Sequence, residues 1–261
     1  MVRRYALALG ALLAACLPAT ASGWEIQRLE ARISVRPDGR LRVVETLQVN
    51  FGAERHHGIL RLLPLAVTDP AGRREPIDIR LRAITGAEGQ PWPARVRRRA
   101  RRLEILIGRQ GAFLTGEQRF VLTYDVDGAL RSGPDLDELY WDVTGQLWEV
   151  PIIEAEAVVE LPQGVEVEGV DAASNAGKFG ARGREADLKT IDATRVRFVL
   201  GRGLTPHEAL TIAVVWPAGH VHPPGLAGRA GRVLGRSRAL APVAVLLVLL
   251  FAIRHRRRRR T

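Results

Sequence analysis

Leu29-Glu30-Ala31-Arg32-Ile33-Ser34-Val35-Arg36-Pro37-Asp38-Gly39-Arg40-Leu41-Arg42-Val43-Val44-Glu45-Thr46-Leu47-Gln48-Val49-Asn50-Phe51 is the stretch on which the fold turns. Leu29, Ala31, Ile33 and Val35 alternate with polar residues. That is the period of a strand with one buried face, not the 3.6-residue period of a helix. Pro37-Asp38-Gly39 then reads as a turn, with Gly39 supplying a positive φ. Leu41, Val43, Leu47, Val49 and Phe51 resume the alternation in phase. The stretch is therefore a β-hairpin with one face in a core. One position on that apolar phase, Glu45, is a carboxylate.

Working outward, the same period marks further strands over Ile77–Ile84, Leu103–Ile107, Arg119–Val126, Glu154–Leu161, Arg195–Leu200 and Leu210–Trp216. No segment carries the pattern of a long amphipathic helix, and no internal repeat is evident. Many short strands with Gly and Pro punctuation predict an all-β fold, an antiparallel β-sandwich. It would occupy residues 24–216, enough chain for one large core.

The two ends have different chemistry. Residues 1–21 begin Met1-Val2-Arg3-Arg4, run apolar to Leu17 and reach small residues at Ala19 and Ala21, the layout of an export signal. Cys16, the chain's one cysteine, follows Leu13-Ala14-Ala15 and admits a lipoprotein-type processing site as an alternative to cleavage after Ala21. The exported part would then hold no disulfide. Residues 217–238 are rich in Gly, Pro and Arg and read as a linker. Residues 239–253 are an unbroken apolar run and 254–260 hold six Arg and one His. Together they read as one C-terminal transmembrane helix with a basic cytoplasmic tail at 254–261. Fifteen residues rise only about 22 Å, short of a hydrocarbon core of about 30 Å. Arg238 and Arg254 can snorkel to make up the difference. The expected location is the cell membrane, single-pass, with the N-terminal domain extracytoplasmic.

Charge follows the same division. The net charge is +11, yet residues 24–216 hold 27 Lys plus Arg against all 28 acidic residues. The excess lies in the flanks of the apolar ends. It reports a membrane topology and not a nucleic-acid surface.

Few residues suggest chemistry. A carboxylate on an apolar phase is costly unless paired. Arg61, alone among aliphatics in Gly58-Ile59-Leu60-Arg61-Leu62-Leu63-Pro64, is the natural partner, because a guanidinium clasps a carboxylate with two hydrogen bonds. Glu45 is read as half of a structural ion pair, with acid–base work as the alternative. Arg95, Arg97, Arg98, Arg99, Arg101 and Arg102 form a basic run, expected as a loop or hairpin tip and a candidate interaction surface for anionic lipid head groups, an acidic envelope polymer or the acidic stretch of its own domain. The membrane, and another envelope protein or an anionic envelope polymer, are the expected partners of the chain. Tyr140, Trp141 and Trp148, with Gly145 making a turn, read as a buried aromatic corner, or else a ligand platform. Asp135, Asp137, Glu138 and Asp142 read as a solvated acidic loop within Arg131–Asp142, since their spacing does not fit a helix–loop–helix calcium site. No zinc spacing, nucleophile elbow or phosphate-binding glycine loop occurs. No catalytic residue, cofactor or metal is assigned.

Two of these segments carry a family resemblance. Pro37-Asp38-Gly39, Leu41, Val43 and Glu45, then Gly58-Ile59, Arg61 and Pro64, resemble the N-terminal module of the bacterial domain of unknown function 2207 family. Tyr140-Trp141-Asp142-Val143-Thr144-Gly145, Trp148, Pro151 and Ile152 are similar to its second signature, with Asp142 where Asn is usual and Leu60 where an aromatic is frequent. The resemblance spans roughly residues 25–216. It implies an export signal, an extracytoplasmic β module and membrane helices, and it implies no activity. The combined expectation is a membrane-anchored binding or assembly module of the cell envelope. The alternative is an envelope-acting hydrolase with carboxylate acid and base.

Overall fold

The structure is a computed structural model and describes residues 23–68, 74–178, 180, 186–192 and 194–222. Its strands are β1 (Glu25–Val35), β2 (Leu41–Asn50), β3 (Gly58–Pro64), β4 (Ala66–Thr68), β5 (Arg74–Pro76), β6 (Asp78–Thr85), β7 (Ala94–Arg98), β8 (Arg102–Gly108), β9 (Glu117–Asp127), β10 (Leu130–Ser132), β11 (Leu136–Asp142), β12 (Ile152–Glu160), β13 (Asp171–Gly177), β14 (Leu188–Ile191), β15 (Arg195–Leu200) and β16 (Ala209–Pro217). A single 3₁₀ turn, Val167–Gly169, is the one helical element among the described residues.

Seven strands form one sheet in the order β14-β15-β12-β1-β2-β9-β6. Smaller sheets, β10-β11-β16-β13 and β3-β8-β7, with the pair β4-β5, account for the rest. Inward residues of the large sheet, such as Ile33, Val43, Leu122 and Phe198, join Ile59, Ile105, Trp141, Ile212 and Trp216 of the smaller sheets in one buried cluster. The smaller sheets thus cover one face of the large one. Its other face is polar and laced by cross-strand ion pairs. Glu156 on β12 lies between Arg28 on β1 and Arg197 on β15. Asp125 on β9 lies between Arg42 on β2 and Arg82 on β6. Alternation produces both faces at once, because successive side chains leave a strand on opposite sides.

The opening hairpin pairs Val35 with Leu41 and Ala31 with Glu45. Gly39 has φ 71°, and its N–H bonds the Arg36 carbonyl at 2.9 Å. Arg40 turns back onto the Asp38 carboxylate and holds its pKa below the ordinary value, against a smaller opposing effect of burial.

Three features depart from the expectations. The ladders are antiparallel with one exception, because β1 and β12 run parallel, Ile26 opposite Ile152 and Ser34 opposite Glu160. Alternation reports which face a residue occupies and not the direction of its strand, so a long crossover from another sheet is invisible to it. Arg131–Asp142 is not a loop. It forms β10 and β11, with Leu139 and Trp141 turned into the core and Asp137 buried beside them. Acidic residues on both faces, Asp137 inward and Glu138 and Asp142 on the other side, masked the strand. Third, the chain stays packed on the domain past Trp216. Ala218 N–H bonds Asp135 O at 2.9 Å, Val221 is buried, and His222 N–H bonds Pro37 O at 2.7 Å. The export signal, residues 223–238 of the linker, the apolar run and the basic tail lie outside the described residues. Among the described residues no helix is long and apolar enough to cross a membrane.

Candidate functional site

Three sheets meet at one ion pair. Glu45 projects inward from the middle of β2 and Arg61 from the middle of β3, with 0% and 3% of their surfaces exposed. Arg61 Nε donates to Glu45 Oε2 at 2.8 Å and Nη2 to Oε1 at 2.7 Å, a two-pronged clasp. Its remaining N–H groups turn toward the segment after β11. Nη1 donates to Thr144 O at 2.7 Å and Nη2 to Val143 O at 3.2 Å. Tyr124, on the apolar phase of β9, donates its hydroxyl to Glu45 Oε1 at 2.5 Å. Both charges are therefore enclosed and bonded, the condition under which burial of a pair is tolerated.

The Tyr140–Trp148 segment is shaped around this pair. Asp142 Oδ1 accepts the Gly145 N–H at 2.9 Å and closes a turn. Gly145 has φ 77°, and a Cβ there would lie 2.7 Å from Arg61 Nη1. Only glycine meets both demands. Trp148 lies with its ring centroid 5.8 Å from the guanidinium carbon, and its indole N–H donates to Thr144 O at 2.9 Å. Thr144 Oγ1 accepts the Leu210 N–H at 2.9 Å and ties the segment to β16. Trp141 and Trp148 are buried and Tyr140 is half-buried. Trp141 and Trp148 form a packed corner, and Tyr140 and Trp141 also line an open cleft.

The electrostatics follow from the enclosure. Desolvation pulls the Arg61 pKa down, but the adjacent Glu45 carboxylate outweighs it and holds the guanidinium charged. Burial, then the Glu45 charge, raises Tyr124 well above the ordinary phenol value. Asp142 is pushed up to about 6 by burial, with the Gly145 N–H and Arg61 opposing. On the outer face, hydrogen bonds from Arg42 and Arg82 hold Asp125 at about 2, against its partial burial.

The other sequence candidates scatter. Asp137 is turned inward, Glu138 pairs with Arg131 at 3.1 Å, and Asp142 caps its turn, so the acidic residues do not converge on one point. Among the described residues no group of three or more His, Cys, Asp or Glu is placed to hold a metal ion. An open cleft of about 210 Å³ is lined by Arg74, Tyr140, Trp141, Asp142, Gln146 and Thr211, among others, with Asp142 the one carboxylate among the described residues. Arg95, Arg97 and Arg98 belong to β7, and Arg102 opens β8. Arg99 N–H bonds Arg102 O at 2.9 Å across the tip. Part of the run is internally neutralised: Arg98 reaches Asp78 at 3.3 Å, and Arg99 and Arg102 share Glu104 at 3.5 and 3.0 Å. Sequence reasoning missed Tyr124, and it quoted Thr144 within the second signature without a role. Tyr124 could have been found, since it stands on the apolar phase of β9 as Glu45 does on β2.

Fold and geometry together define an all-β domain whose sheets are joined at one sealed ion pair. The chain belongs to the family described as predicted membrane protein (DUF2207), N-terminal domain, whose model matches residues 25–216. No curated protein matches the chain. Similar solved structures include a two-domain M1 zinc metallopeptidase bound to L-tryptophan, with a TM-score of 0.43, 18% identity, and coverage of 81% of this chain and 53% of that one. An M1 zinc metallopeptidase from Deinococcus radiodurans gives 0.38, 16%, 74% and 42%. Leukotriene A4 hydrolase from Saccharomyces cerevisiae gives 0.41, 10%, 75% and 29%. The chain spans about half or less of the length of each.

Proposed function

We propose that this chain is a membrane-tethered extracytoplasmic module of the bacterial cell envelope that binds or assembles with partners through its surface. The observation that carries the reading is the sealing of Glu45. A general acid or base must reach a substrate proton, and Glu45 is enclosed by Arg61 and Tyr124. A carboxylate-pair hydrolase needs two acids facing one space, and among the described residues one carboxylate, Asp142, lines the open cleft. The ion pair serves instead to lock three sheets in one register. The outward-facing β7–β8 hairpin, with Arg95, Arg97, Arg98, Arg99, Arg101 and Arg102, is the candidate interaction surface.

Membership in a family of predicted membrane proteins supports the tether, and the sequence supplies its topology. A reporter that is active only in the cytoplasm, fused after Thr261, should be active. The same reporter inserted at Gly219 should be silent. Activity at Gly219, or silence after Thr261, refutes the single-pass arrangement.

A further inference from the structure

The three-stranded sheet β3-β8-β7 has an outer face that a solvated sheet does not explain. Its inner face is ordinary, with Ile59, Leu63, Ile105 and Ile107 in the core. On the outer face Leu60 and Leu106 are ladder partners, each 47% exposed. Leu147, 54% exposed, stands beside Leu60 and Leu62. Solvent positions on a half-buried strand are ordinarily polar. Here three leucines lie together, with the Arg95 and Arg97 guanidinium groups along their β7 side.

The charges on this face are one-sided. Arg95 is the ladder neighbour of Leu106 and Arg97 that of Glu104. Leu60, Arg95, Arg97, Glu104 and Leu106 line one shallow groove of about 230 Å³. His57, Arg95, Leu106 and Arg109 line part of the adjoining one, about 220 Å³. Glu104 is the one acid in these linings, and Arg99 and Arg102 already engage it. Among the described residues the hydrogen-bond partner of the Arg95 side chain is the neutral Gln110, at 2.7 Å. Arg97 and Arg109 make no ion pair among the described residues.

Leucine needs a non-aqueous neighbour and guanidinium an anionic oxygen. The boundary of an anionic lipid leaflet offers both within a few ångströms: phosphates at one depth and acyl carbon just below. We propose that the outer face of β3-β8-β7 docks flat on an anionic bilayer surface, with Leu60, Leu106 and Leu147 entering the acyl boundary and Arg95, Arg97 and Arg109 meeting lipid phosphates. This rests on the membrane-tether reading. A tether keeps the bilayer at high effective concentration beside the domain, so a weak face suffices. The sixteen residues between His222 and Ala239 give a maximum contour of roughly 50 Å, enough for the domain to lie on its side.

The test uses the full chain in a Cys16→Ser background, with Leu60→Cys carrying an environment-sensitive fluorophore. It is reconstituted into vesicles whose acyl chains are brominated, either phosphatidylcholine alone or with 30% phosphatidylglycerol. Gln48→Cys, exposed on the far face of the large sheet, carries the control probe. The expected result is at least twofold quenching at position 60 in the anionic vesicles. It should vanish at 1 M salt, in phosphatidylcholine alone, and when Arg95, Arg97 and Arg109 are changed to Gln, with no quenching at position 48. Absence of quenching at position 60, or equal quenching in uncharged vesicles, overturns the proposal. So does a probe shielded from aqueous quencher without lipid contact, which would mark a protein partner on this face. Carbonate extraction reports the tether separately. If the chain is extracted, the tether reading fails, and quenching by the same vesicles added externally still decides the docking face.

Discussion

Arg61→Met removes the guanidinium and keeps roughly its volume. Glu45 is then a buried carboxylate with one donor left, the Tyr124 hydroxyl. Stranding one charge of a buried pair costs about 3–5 kcal/mol. Val143 O also loses its Arg61 donor, whereas Thr144 O keeps the Trp148 indole N–H. One carbonyl left short adds about 1 kcal/mol. For a domain of this size about 4–6 kcal/mol corresponds to a fall in melting temperature of roughly 8–24 °C. Glu45→Leu should cost about 3–5 kcal/mol for the opposite reason, because it leaves an unpaired buried guanidinium. The double variant Glu45→Leu with Arg61→Met buries no charge. Its remaining defects are the Tyr124 hydroxyl and the Val143 carbonyl, so it should be more stable than either single variant. The assay is thermal and urea unfolding of the full chain in micelles by tryptophan fluorescence, with Trp148 beside the guanidinium as a local reporter. Single and double costs that add to within about 0.5 kcal/mol would show that the two residues do not act together.

Further outcomes follow from the same geometry. Asp142→Asn keeps the oxygen that accepts the Gly145 N–H and removes a carboxyl held at about 6. An acid whose folded pKa lies above its unfolded value loses stability as pH rises between the two, so from about pH 4 to pH 6 the parent should weaken relative to Asp142→Asn by up to about 3 kcal/mol. Equal pH profiles in denaturant melts would refute this. Gly145→Ala places a methyl 2.7 Å from Arg61 Nη1 at a φ of 77° and should cost about 2–4 kcal/mol. A neutral change in melting temperature would show that the turn is free to move. Asp125 carries the opposite sign from Asp142. Its pKa is held at about 2 by Arg42 and Arg82, so its stabilisation is present above pH 4 and is lost as pH falls toward 2. The flanking arginines are well exposed, which discounts the full shift to about 1–2 kcal/mol. Asp125→Asn should therefore destabilise the domain at pH 7 and flatten its acid limb, and an unchanged acid limb argues against the pairing.

The alternation from Leu29 to Phe51 was sufficient to give a hairpin, its buried face and the anomaly of Glu45, because side-chain period and turn chemistry are local properties. Local pattern also separated the apolar ends from a nearly neutral centre, since charge composition needs no fold to be read. It failed where faces and composition disagree. Acidic residues on β10–β11 looked like a loop because the alternation there carries few aliphatics, and the parallel run of β12 beside β1 has no signature in either strand. Long-range contact decided the rest. Arg61 meets Glu45 only because β3 lies across the large sheet. Thr144 joins them because the segment after β11 is tied to β16, and Gly145 is required because that segment closes over a guanidinium more than eighty positions earlier in the chain. The leucines among the arginines show the same limit. Leu60 and Leu106 stand among aliphatics in the sequence, where composition does not tell an inward from an outward residue. For Leu60 and Leu106, only the pairing of β3 with β8, which commits their neighbours Ile59, Arg61, Ile105 and Ile107 to the interior, turns them outward. A strand can place a residue on one of two faces, and which face is buried is settled by what packs against it.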